Sequence, residues 1–578
     1  MKKNCTTFLV ILLLAIAQTG FSQAVSTDAP IQAMNFSVTE APENQMTLQE
    51  MTEAPVTRIP LQGMNDETLF RTVTRELSDD VFGGRKPLTP YEAPTVDYIA
   101  TRFKEVGLEP AADGSYLQKV PLIGVQTHLK NNAIVVNGAK GTVRLRYWDD
   151  IVIWTLRAEK QLIVNKADFV FVGFGIHAPE YGWDDYAGVD VKGKVVVMLV
   201  NDPGFYDDNL FRGKNMTYYG RWVYKFAEAG RRGAAAALII HDTEPASYGW
   251  SVVQNSRASS SLTLYSETEN KTLIPYQGWV TGESAQKLFD AAGVSLEISV
   301  AAAKKQGFKS FPLKLRTTIA STNDIEIGES ANVAAILPGT SLKDEYIIYS
   351  AHWDHLGIGQ PTDGDSIYNG AVDNATGVAG LVLFGRRFSE LPERPKRSIV
   401  FLAVTAEESN LLGSQYYVEN PLFPLEKTAV CLNLESYGDR MRTGDVILSA
   451  PGQSETDRYV IEAAATQGRT VTFSNDNATG WYYRSDHFNF AKVGVPVVLA
   501  NNGNNYLNPE AAEAYKKKYH EGPSTYHQPS DEYHDWWDLS GTLDDLYLFY
   551  GIGLRLANDG YFPKWNDGIE FKAAREKK

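Results

Sequence analysis

Cysteine is scarce in this sequence. Only Cys5 and Cys431 occur among the 578 residues, which excludes the disulfide frameworks that stabilise small secreted domains. Cys431 stands in the apolar run 428–434 and is interpreted as a buried thiol of the core. With 43% hydrophobic residues, a chain of this length can build about two to four domains with substantial cores.

Basic clusters are lacking as well. Acidic residues number 70 and basic residues 55, the formal net charge is −15, and no run of Lys and Arg exceeds three residues. A protein that binds nucleic acid normally presents a basic face, so we predict no nucleic-acid partner. Glycine and proline contents are near average, which excludes fibrous and wholly disordered classes.

The N-terminal apolar run is too short to span a membrane. It comprises residues 8–17, after Lys2 and Lys3, whereas a spanning helix needs ~20 residues. Small and polar residues follow as far as Ala24, so residues 1–24 are predicted to be a secretory signal peptide. We expect an exported protein, periplasmic or extracellular in a bacterium, without a membrane anchor after cleavage; an uncleaved anchor is the alternative.

The pattern of the remaining chain divides it into three parts. Residues 25–60 are rich in Thr, Glu, Ala and Pro, which predicts a flexible linker. Residues 140–319 contain short β-rich runs between glycine-rich loops, which predicts an inserted β-rich domain. Residues 61–139 and 320–578 are predicted to form one discontinuous α/β domain, a mixed, mostly parallel sheet with helices on both faces, because strands alternate with helices there.

Polar side chains stand where the predicted strands of the second half end. In open α/β sheets, ligands bind in the crevice beyond the carboxyl ends of the strands, so residues that are far apart in sequence can converge there. In chain order the candidates are His352, Asp354, Asp373, Glu407, Glu408, Glu435 and His527.

Two histidines and three carboxylates of this set are the donors that suit zinc. Asp373 is short and has two oxygens, so we expect it to bridge two metals ~3.5–4 Å apart. Two Zn²⁺ ions would balance three carboxylates and a bridging hydroxide, which limits the cost of burying these charges.

The adjacent residues Glu407 and Glu408 are predicted to have different roles. Neighbouring residues of an extended chain point to opposite sides, so one glutamate can bind metal while the other serves as a general base. Asp354 follows His352 by two residues and is expected to hold the ring N–H of that histidine. His355 and His487 are interpreted as supporting or structural residues.

Taken together, these motifs resemble the co-catalytic di-zinc aminopeptidase family, which also includes glutamate carboxypeptidases. The matching segments are Ser350–Gly357, Gly370–Ala375, Ala406–Glu408, Leu412–Ser414, Ser485–His487 and Tyr526–Pro529. The resemblance implies that His352, Asp373 and Glu435 bind one zinc ion and that Asp373, Glu408 and His527 bind the other. Many family members have Asp where this chain has Glu435; we expect the longer side chain to remain a ligand.

The resemblance also implies a reaction. Glu407 is similar to the general base of the family, and Tyr526 is similar to a tyrosine that stabilises the oxyanion. Arg484 is expected to contact the substrate; a surface arginine is the alternative. The predicted function is that of an exported di-zinc metallopeptidase, an aminopeptidase that hydrolyses N-terminal residues from peptides by means of a metal-bridging hydroxide.

Residues 140–319 are similar to a protease-associated domain, which implies a part in restricting substrates rather than in catalysis. Two other functions stay open. One is a carboxypeptidase or another amidohydrolase of the same fold, which Arg484 favours because arginine binds carboxylates in bidentate geometry. The other is a non-catalytic binding protein, although such a protein would be expected to lose ligands or the base, and this chain retains them.

Overall fold

The computed structural model describes residues 58–474, 477–522, 524–569 and 571–576. The predicted signal peptide, Cys5 and residues 25–57 of the predicted linker lie outside the described residues. Within the described ranges, no helix combines the length and the apolar character that crossing a membrane requires.

The main sheet has fifteen strands among the described residues. Ten of them form a continuous order: Val497–Val498, Thr428–Asn433, Leu342–His352, Arg397–Val404, Phe311–Leu337, Gln161–Phe171, Val195–Leu199, Ala236–His241, Tyr276–Thr281 and Ile151–Trp154. The other five are Glu109–Pro110, Leu117–Leu129, Ala133–Gly138, Gly141–Arg146 and Ser261–Leu264. Smaller sheets pair Gly357–Thr362 with Asp365–Tyr368, His177–Ala178 with Trp183–Asp184, and Asp445–Ser449 with Thr470–Ser474 and Ala500–Asn502.

Helices pack against the sheet or lie in the connections between its strands. They are Asp66–Leu77, Glu92–Glu105, Trp222–Arg231, Thr243–Ala246, Trp250–Asn255, Gly282–Ala292, Leu296–Ala303, Thr376–Ser389, Leu412–Glu419, Asp457–Thr466, His487–Lys492, Pro509–Tyr519, Ser540–Asn558 and Lys572–Glu576.

The part of the sheet that carries the candidate site is mostly parallel. Leu342–His352 pairs in parallel with Arg397–Val404 and with Thr428–Asn433, and Phe311–Leu337 closes this part in antiparallel orientation. Side chains alternate between two cores: Ile347 and Tyr349 belong to one, and Ile348 belongs to the other. Both faces are therefore buried, and the predicted α/β class with a mixed, mostly parallel sheet is confirmed.

The strand Phe311–Leu337 runs without interruption through the predicted domain boundary at residues 319 and 320. It pairs with Gln161–Phe171 on one side and with Leu117–Leu129 on the other. One core cluster lies wholly within the predicted insert, whereas another also includes Leu129, Ile134 and Val136, which precede the predicted boundary at residues 139 and 140. The division into domains stays a prediction.

Two details of the secondary structure differ from what the sequence pattern indicates. The apolar run 495–500 does not form a single strand, because Val497–Val498 belongs to the main sheet and Ala500–Asn502 to a small one. The predicted β-rich region also contains the helix Gly282–Ala292, which begins where the Thr281 hydroxyl accepts a hydrogen bond from the Ser284 N–H. That N-cap and the buried Leu288 and Phe289 make the segment helical.

Candidate metal centre

Three parallel strands deliver candidate ligands to one edge of the sheet. Leu342–His352 ends on His352 itself, Arg397–Val404 is followed by Glu407 and Glu408, and Thr428–Asn433 is followed by Glu435. The remaining two candidates come from loops. Asp373 lies in the turn Ala371–Ala375 before the helix Thr376–Ser389, and His527 lies between Pro509–Tyr519 and Ser540–Asn558.

The first group consists of His352, Asp373 and Glu435. The Nε2 atom of His352 lies 3.2 Å from Oδ1 of Asp373 and 3.1 Å from Oε1 of Glu435. One donor atom from each of the three residues lies within 4.8 Å of the others. The Ser485 hydroxyl donates to Oε2 of Glu435 at 2.5 Å, which leaves Oε1 facing the histidine.

The second group uses the other oxygen of Asp373. Nε2 of His527 lies 3.5 Å from Oδ2 of Asp373 and 3.0 Å from Oε2 of Glu408. Asp373 therefore presents one oxygen to each histidine, as a ligand shared by two cations must. All five residues predicted as metal ligands lie at this one place.

His355 also belongs to this place, which the strand pattern does not indicate. Its Nδ1 atom lies 2.7 Å from Oε1 of Glu408, and His355, Asp373 and Glu408 form a second cluster of donor atoms within 4.8 Å. The strand ends at His352, so the alternation of side chains no longer applies three residues later. His355 thus holds one oxygen of Glu408 and leaves the other for His527.

The expected contact of Asp354 is wrong in its detail. Nδ1 of His352 lies 3.0 Å from the backbone carbonyl of Asp354, whereas the Asp354 carboxylate is 3.8 Å away. That carboxylate instead accepts hydrogen bonds from the backbone N–H groups of Glu407 at 3.0 Å and Glu408 at 3.3 Å. Burial raises the pKa of Asp354 to about 7. Asp354 therefore positions both the predicted base and a predicted ligand.

Asp531 performs the same task on the opposite side and was not predicted. Its carboxylate accepts from the N–H groups of Val372 at 2.9 Å and Asp373 at 3.0 Å. It lies four residues after His527 in a loop, and nothing in the sequence distinguishes it from an aspartate in an exposed turn. Two buried aspartates thus hold the two turns that carry ligands.

Arg85, which follows Gly83 and Gly84, connects two of the segments around the metal centre. Its buried guanidinium donates to the carbonyls of Trp353 at 2.8 Å and Gly370 at 2.8 Å. A Cβ atom on Gly84 would lie 2.6 Å from the Tyr368 carbonyl oxygen, and φ is +67° there, so only glycine fits. The motif ties the segments after His352 and before Asp373 together.

The charges of this centre are unbalanced. Burial would lower the pKa of His352, but Glu435 and Glu407 outweigh it and raise that pKa well above its ordinary value. Burial, followed by Glu408 and Glu435, raises the pKa of Glu407 well above its ordinary value. For Glu408 the effect of burial is overcome by the neighbouring histidines, and its pKa falls to about 2.

The donor set fits zinc. Four carboxylates outnumber the imidazoles that face them, so a divalent cation in each group would offset the excess negative charge. Imidazole nitrogen and carboxylate oxygen are the ligands that zinc takes in catalytic sites. Left-handed backbone conformations occur beside these donors, at Ala406 with φ +52° and Ser436 with φ +56°, where strain of this kind is often found.

A cavity of about 690 Å³ opens onto the centre. Glu407, Glu408, Tyr526 and His527 line its floor together with Arg484. The Tyr526 ring stacks on His527 with centroids 3.9 Å apart; the surrounding protein, followed by Glu408 and Asp373, raises its pKa well above the ordinary value. The predicted base, tyrosine and substrate-contacting arginine thus face one space.

Residues 332–546 match the profile of peptidase family M28. A stretch of 131 residues is 34% identical to "Aminopeptidase NAALADL1" of Mus musculus, covering 22% of this chain and 16% of that protein. A longer stretch of 370 residues is 24% identical to "Probable glutamate carboxypeptidase AMP1" of Arabidopsis thaliana, covering 59% of this chain and 47% of that protein. The chain therefore matches less than half the length of these relatives.

A solved structure shares the fold. It is "Aminopeptidase from Aneurinibacillus sp. strain AM-1", with a TM-score of 0.51 and 20% identity, and the match covers 86% of this chain and 95% of that one. At this identity the likeness concerns the fold alone.

Proposed function

Since residues 332–546 match the profile of peptidase family M28, we propose that the chain is an exported metallopeptidase with two zinc ions that removes N-terminal residues from peptides. The observation that carries the proposal is the pair of histidine–carboxylate groups that share Asp373, with its two oxygens 3.2 Å from His352 and 3.5 Å from His527. The proposal of two neighbouring metal ions depends on Asp373 as their shared ligand.

The proposed ligands are His352, Asp373 and Glu435 for one ion and Asp373, Glu408 and His527 for the other. Bound zinc ions would lower the pKa of a water molecule and polarise the scissile carbonyl. His355 and Asp354 keep Glu408 in place, and Asp531 does the same for Asp373. These contacts prearrange the donors, which is what tight binding of a metal requires.

Glu407 is proposed to accept a proton from the attacking water on its carboxylate and to deliver that proton to the leaving amine. Burial raises the pKa of Glu407, which favours acceptance of a proton by its carboxylate. The Tyr526 hydroxyl, which its raised pKa keeps protonated, would donate a hydrogen bond to the oxygen of the tetrahedral intermediate. Both side chains line the cavity from which a peptide would enter.

A carboxypeptidase is the second candidate. The Arabidopsis relative bears that name, and Arg484, which lines the cavity, is a residue type that binds carboxylates. Peptides blocked at one end distinguish the two activities. An aminopeptidase cleaves peptides with a free amine and an amidated C-terminus, whereas a carboxypeptidase cleaves N-acetylated peptides with a free C-terminus.

The test of the mechanism is Glu407→Gln in the zinc-loaded protein. We expect kcat toward aminoacyl p-nitroanilides to fall about 100- to 10,000-fold because proton transfer is lost, while zinc content stays unchanged. The control is Glu426→Gln, an exposed glutamate at the opposite end of the strand that leads to Glu435. Full activity of the Glu407→Gln variant would refute the role of Glu407.

A further inference from the structure

The segment 140–319, which is predicted to be an insert, touches the metal centre at one short helix. The helix Trp250–Asn255 ends beside the loop that carries His527. Asn255 and the next residue, Ser256, both form hydrogen bonds to His527, which Ser256 precedes by 271 residues. These two contacts join the predicted insert to a proposed metal ligand.

His527 needs support from outside its own loop. Three of the other four proposed ligands end or follow a strand and Asp373 precedes a helix, whereas His527 lies in a loop between Pro509–Tyr519 and Ser540–Asn558. Its φ is +55°, in the left-handed region, which is unfavourable for a residue that has a Cβ atom. Such a conformation persists only where the surrounding contacts hold it.

The two ring nitrogens of His527 face different partners. Nε2 points to the metal centre, 3.0 Å from Oε2 of Glu408 and 3.5 Å from Oδ2 of Asp373. Nδ1 lies 3.0 Å from Oγ of Ser256. A neutral imidazole has one protonated nitrogen and one nitrogen with a free lone pair. A hydroxyl that accepts from the Nδ1–H group leaves the lone pair on Nε2, which is the form of histidine that binds a metal.

The backbone of His527 is held as well. Nδ2 of Asn255 donates to the His527 carbonyl oxygen at 3.0 Å and to Oε1 of Gln528 at 3.2 Å. Asn255 is only 9% exposed, and hydrogen bonds shielded from water in this way are electrostatically stronger than exposed ones. One residue of the segment thus fixes the backbone of His527, and the next residue fixes its ring.

The helix that carries these two residues is fixed by its own segment. Nε1 of Trp250 and Nε2 of Gln254 donate to the same acceptor, the carbonyl oxygen of Trp148, at 3.0 Å and 2.9 Å. Val253 lies in the core cluster that consists wholly of residues of this segment. The end of the helix is therefore placed by the segment itself and not by the loop that it supports.

The first group of ligands is held differently. Nδ1 of His352 lies 3.0 Å from the Asp354 carbonyl oxygen, and the Ser485 hydroxyl donates to Glu435 at 2.5 Å. Among the described residues, no hydrogen bond from the segment 140–319 reaches His352 or Glu435. The two proposed metal sites therefore differ in what supports them, and a change in the segment should affect one of them.

We propose that Asn255 and Ser256 position His527 for zinc, so that the segment 140–319 completes the second of the two proposed metal sites. This inference rests on the proposed function, because it takes His527 to be a zinc ligand. It gives the segment a role in metal binding, in addition to the restriction of substrates that its resemblance to a protease-associated domain implies.

Ser256→Ala in the full chain removes the hydroxyl and little else. Zinc affinity is measured by titrating the metal-free protein with zinc in the presence of a competing chelator. We expect the dissociation constant of one zinc ion to rise about 10- to 100-fold and that of the other to change less than about 3-fold. Ser256→Thr, which keeps a hydroxyl, should retain most of the affinity. Ser251→Ala, at an exposed serine of the same helix, is the control and should bind zinc like the wild type.

Combined variants show whether Ser256 acts through His527. In the His527→Gln background, Ser256→Ala should cause no further loss of zinc affinity, because the residue that Ser256 positions is already gone. In the His352→Gln background, Ser256→Ala should cause its full loss. Asn255→Ala is expected to weaken binding of the same ion as Ser256→Ala, since the carbonyl of His527 loses its donor.

Metal binding keeps this test independent of hydrolysis. Absence of peptide hydrolysis in a wild-type protein that binds two zinc ions would refute the proposed peptidase activity and leave the role of Ser256 standing. Three results would overturn that role: unchanged zinc affinity in Ser256→Ala, an equal loss of affinity for both ions, or a further loss in the His527→Gln background.

Discussion

The metal centre and the arginines Arg221, Arg257 and Arg484 place charge of opposite sign beside one cavity. The metal centre has four carboxylates around His352 and His527, and backbone N–H groups beside it donate hydrogen bonds to the carboxylates of Asp354 and Asp531. The three arginines are half-buried, and Glu407 and Glu408 line the same cavity. Because unbalanced buried charge is costly, the excess of carboxylates at the metal centre indicates cationic ligands.

Asp373→Asn is expected to have the largest effect on this arrangement. The change removes charge from the one residue that both histidines face, so we expect zinc content to fall and kcat/KM to drop by more than about 100-fold, beyond the effect of losing a supporting residue. Metal analysis by mass spectrometry and peptide hydrolysis measure the two effects.

The matched control for Asp373 is Asp344→Asn, at an exposed position near the start of the strand that ends in His352. This variant should behave as the wild type. A full complement of zinc in Asp373→Asn would mean that the two groups do not share a ligand.

Asp531→Asn should have a smaller effect on the metal centre. The amide can accept only one of the two N–H groups that the carboxylate accepts, so the turn before Asp373 loses part of its support. We expect zinc affinity to fall about 10- to 100-fold. The exposed Asp535, whose side chain is 85% accessible, gives the control Asp535→Asn; equal zinc affinities for the two variants would contradict the role of Asp531.

The smallest effect on activity is expected for His487→Gln. The pKa of His487 is shifted in the opposite direction from that of His352. Burial lowers the pKa of His487 to about 4, while carboxylates raise that of His352. Below pH 6.5 the unfolded chain binds a proton that folded His487 does not, so stability falls as the pH decreases toward 4. His487→Gln should remove about 2 kcal/mol of this loss at pH 5 and leave activity at pH 7 unchanged.

Thermal unfolding from pH 7 to pH 4.5 measures this contribution. His128→Gln is the control, because His128 is exposed beside Asp324. Identical pH dependence of the melting temperature in wild type and His487→Gln would show that His487 becomes protonated in the folded state.

Four of the five proposed ligands were predictable from the sequence because each ends or follows a recognisable strand or precedes a helix, whereas His527 lies in a loop and its role was implied by the family resemblance. His352, Glu408 and Glu435 occupy the ends of parallel strands, and the geometry of such sheets brings those ends together. The supporting residues were less accessible. Asp531 and His355 act through loop conformations, and the contact of Asp354 depends on how the chain turns after His352.

The grouping of Arg221, Arg257 and Arg484 in one cavity was the feature least predictable from the sequence. Arg484 was predicted to contact the substrate because it precedes the Ser485–His487 motif. Arg221 and Arg257 lie in the segment that was predicted to be β-rich, where the pattern indicates no site. Their common feature, a place in the lining of one cavity, depends on how segments that are far apart in sequence pack together. It has no counterpart in the spacing of residues along the chain.

The sequence alone determined the α/β class, because hydrophobic periodicity is a local property. It also determined which polar residues follow the strands and that they form a donor set for zinc, because residue type is local and the carboxyl ends of parallel strands share one edge of the sheet. Tertiary structure alone decides which oxygen faces which histidine, which aspartate supports which turn, and that Arg221, Arg257 and Arg484 line one cavity with Glu407 and Glu408. These depend on distances of a few ångströms between segments that are hundreds of residues apart, and electrostatic cost is set by such distances and by burial.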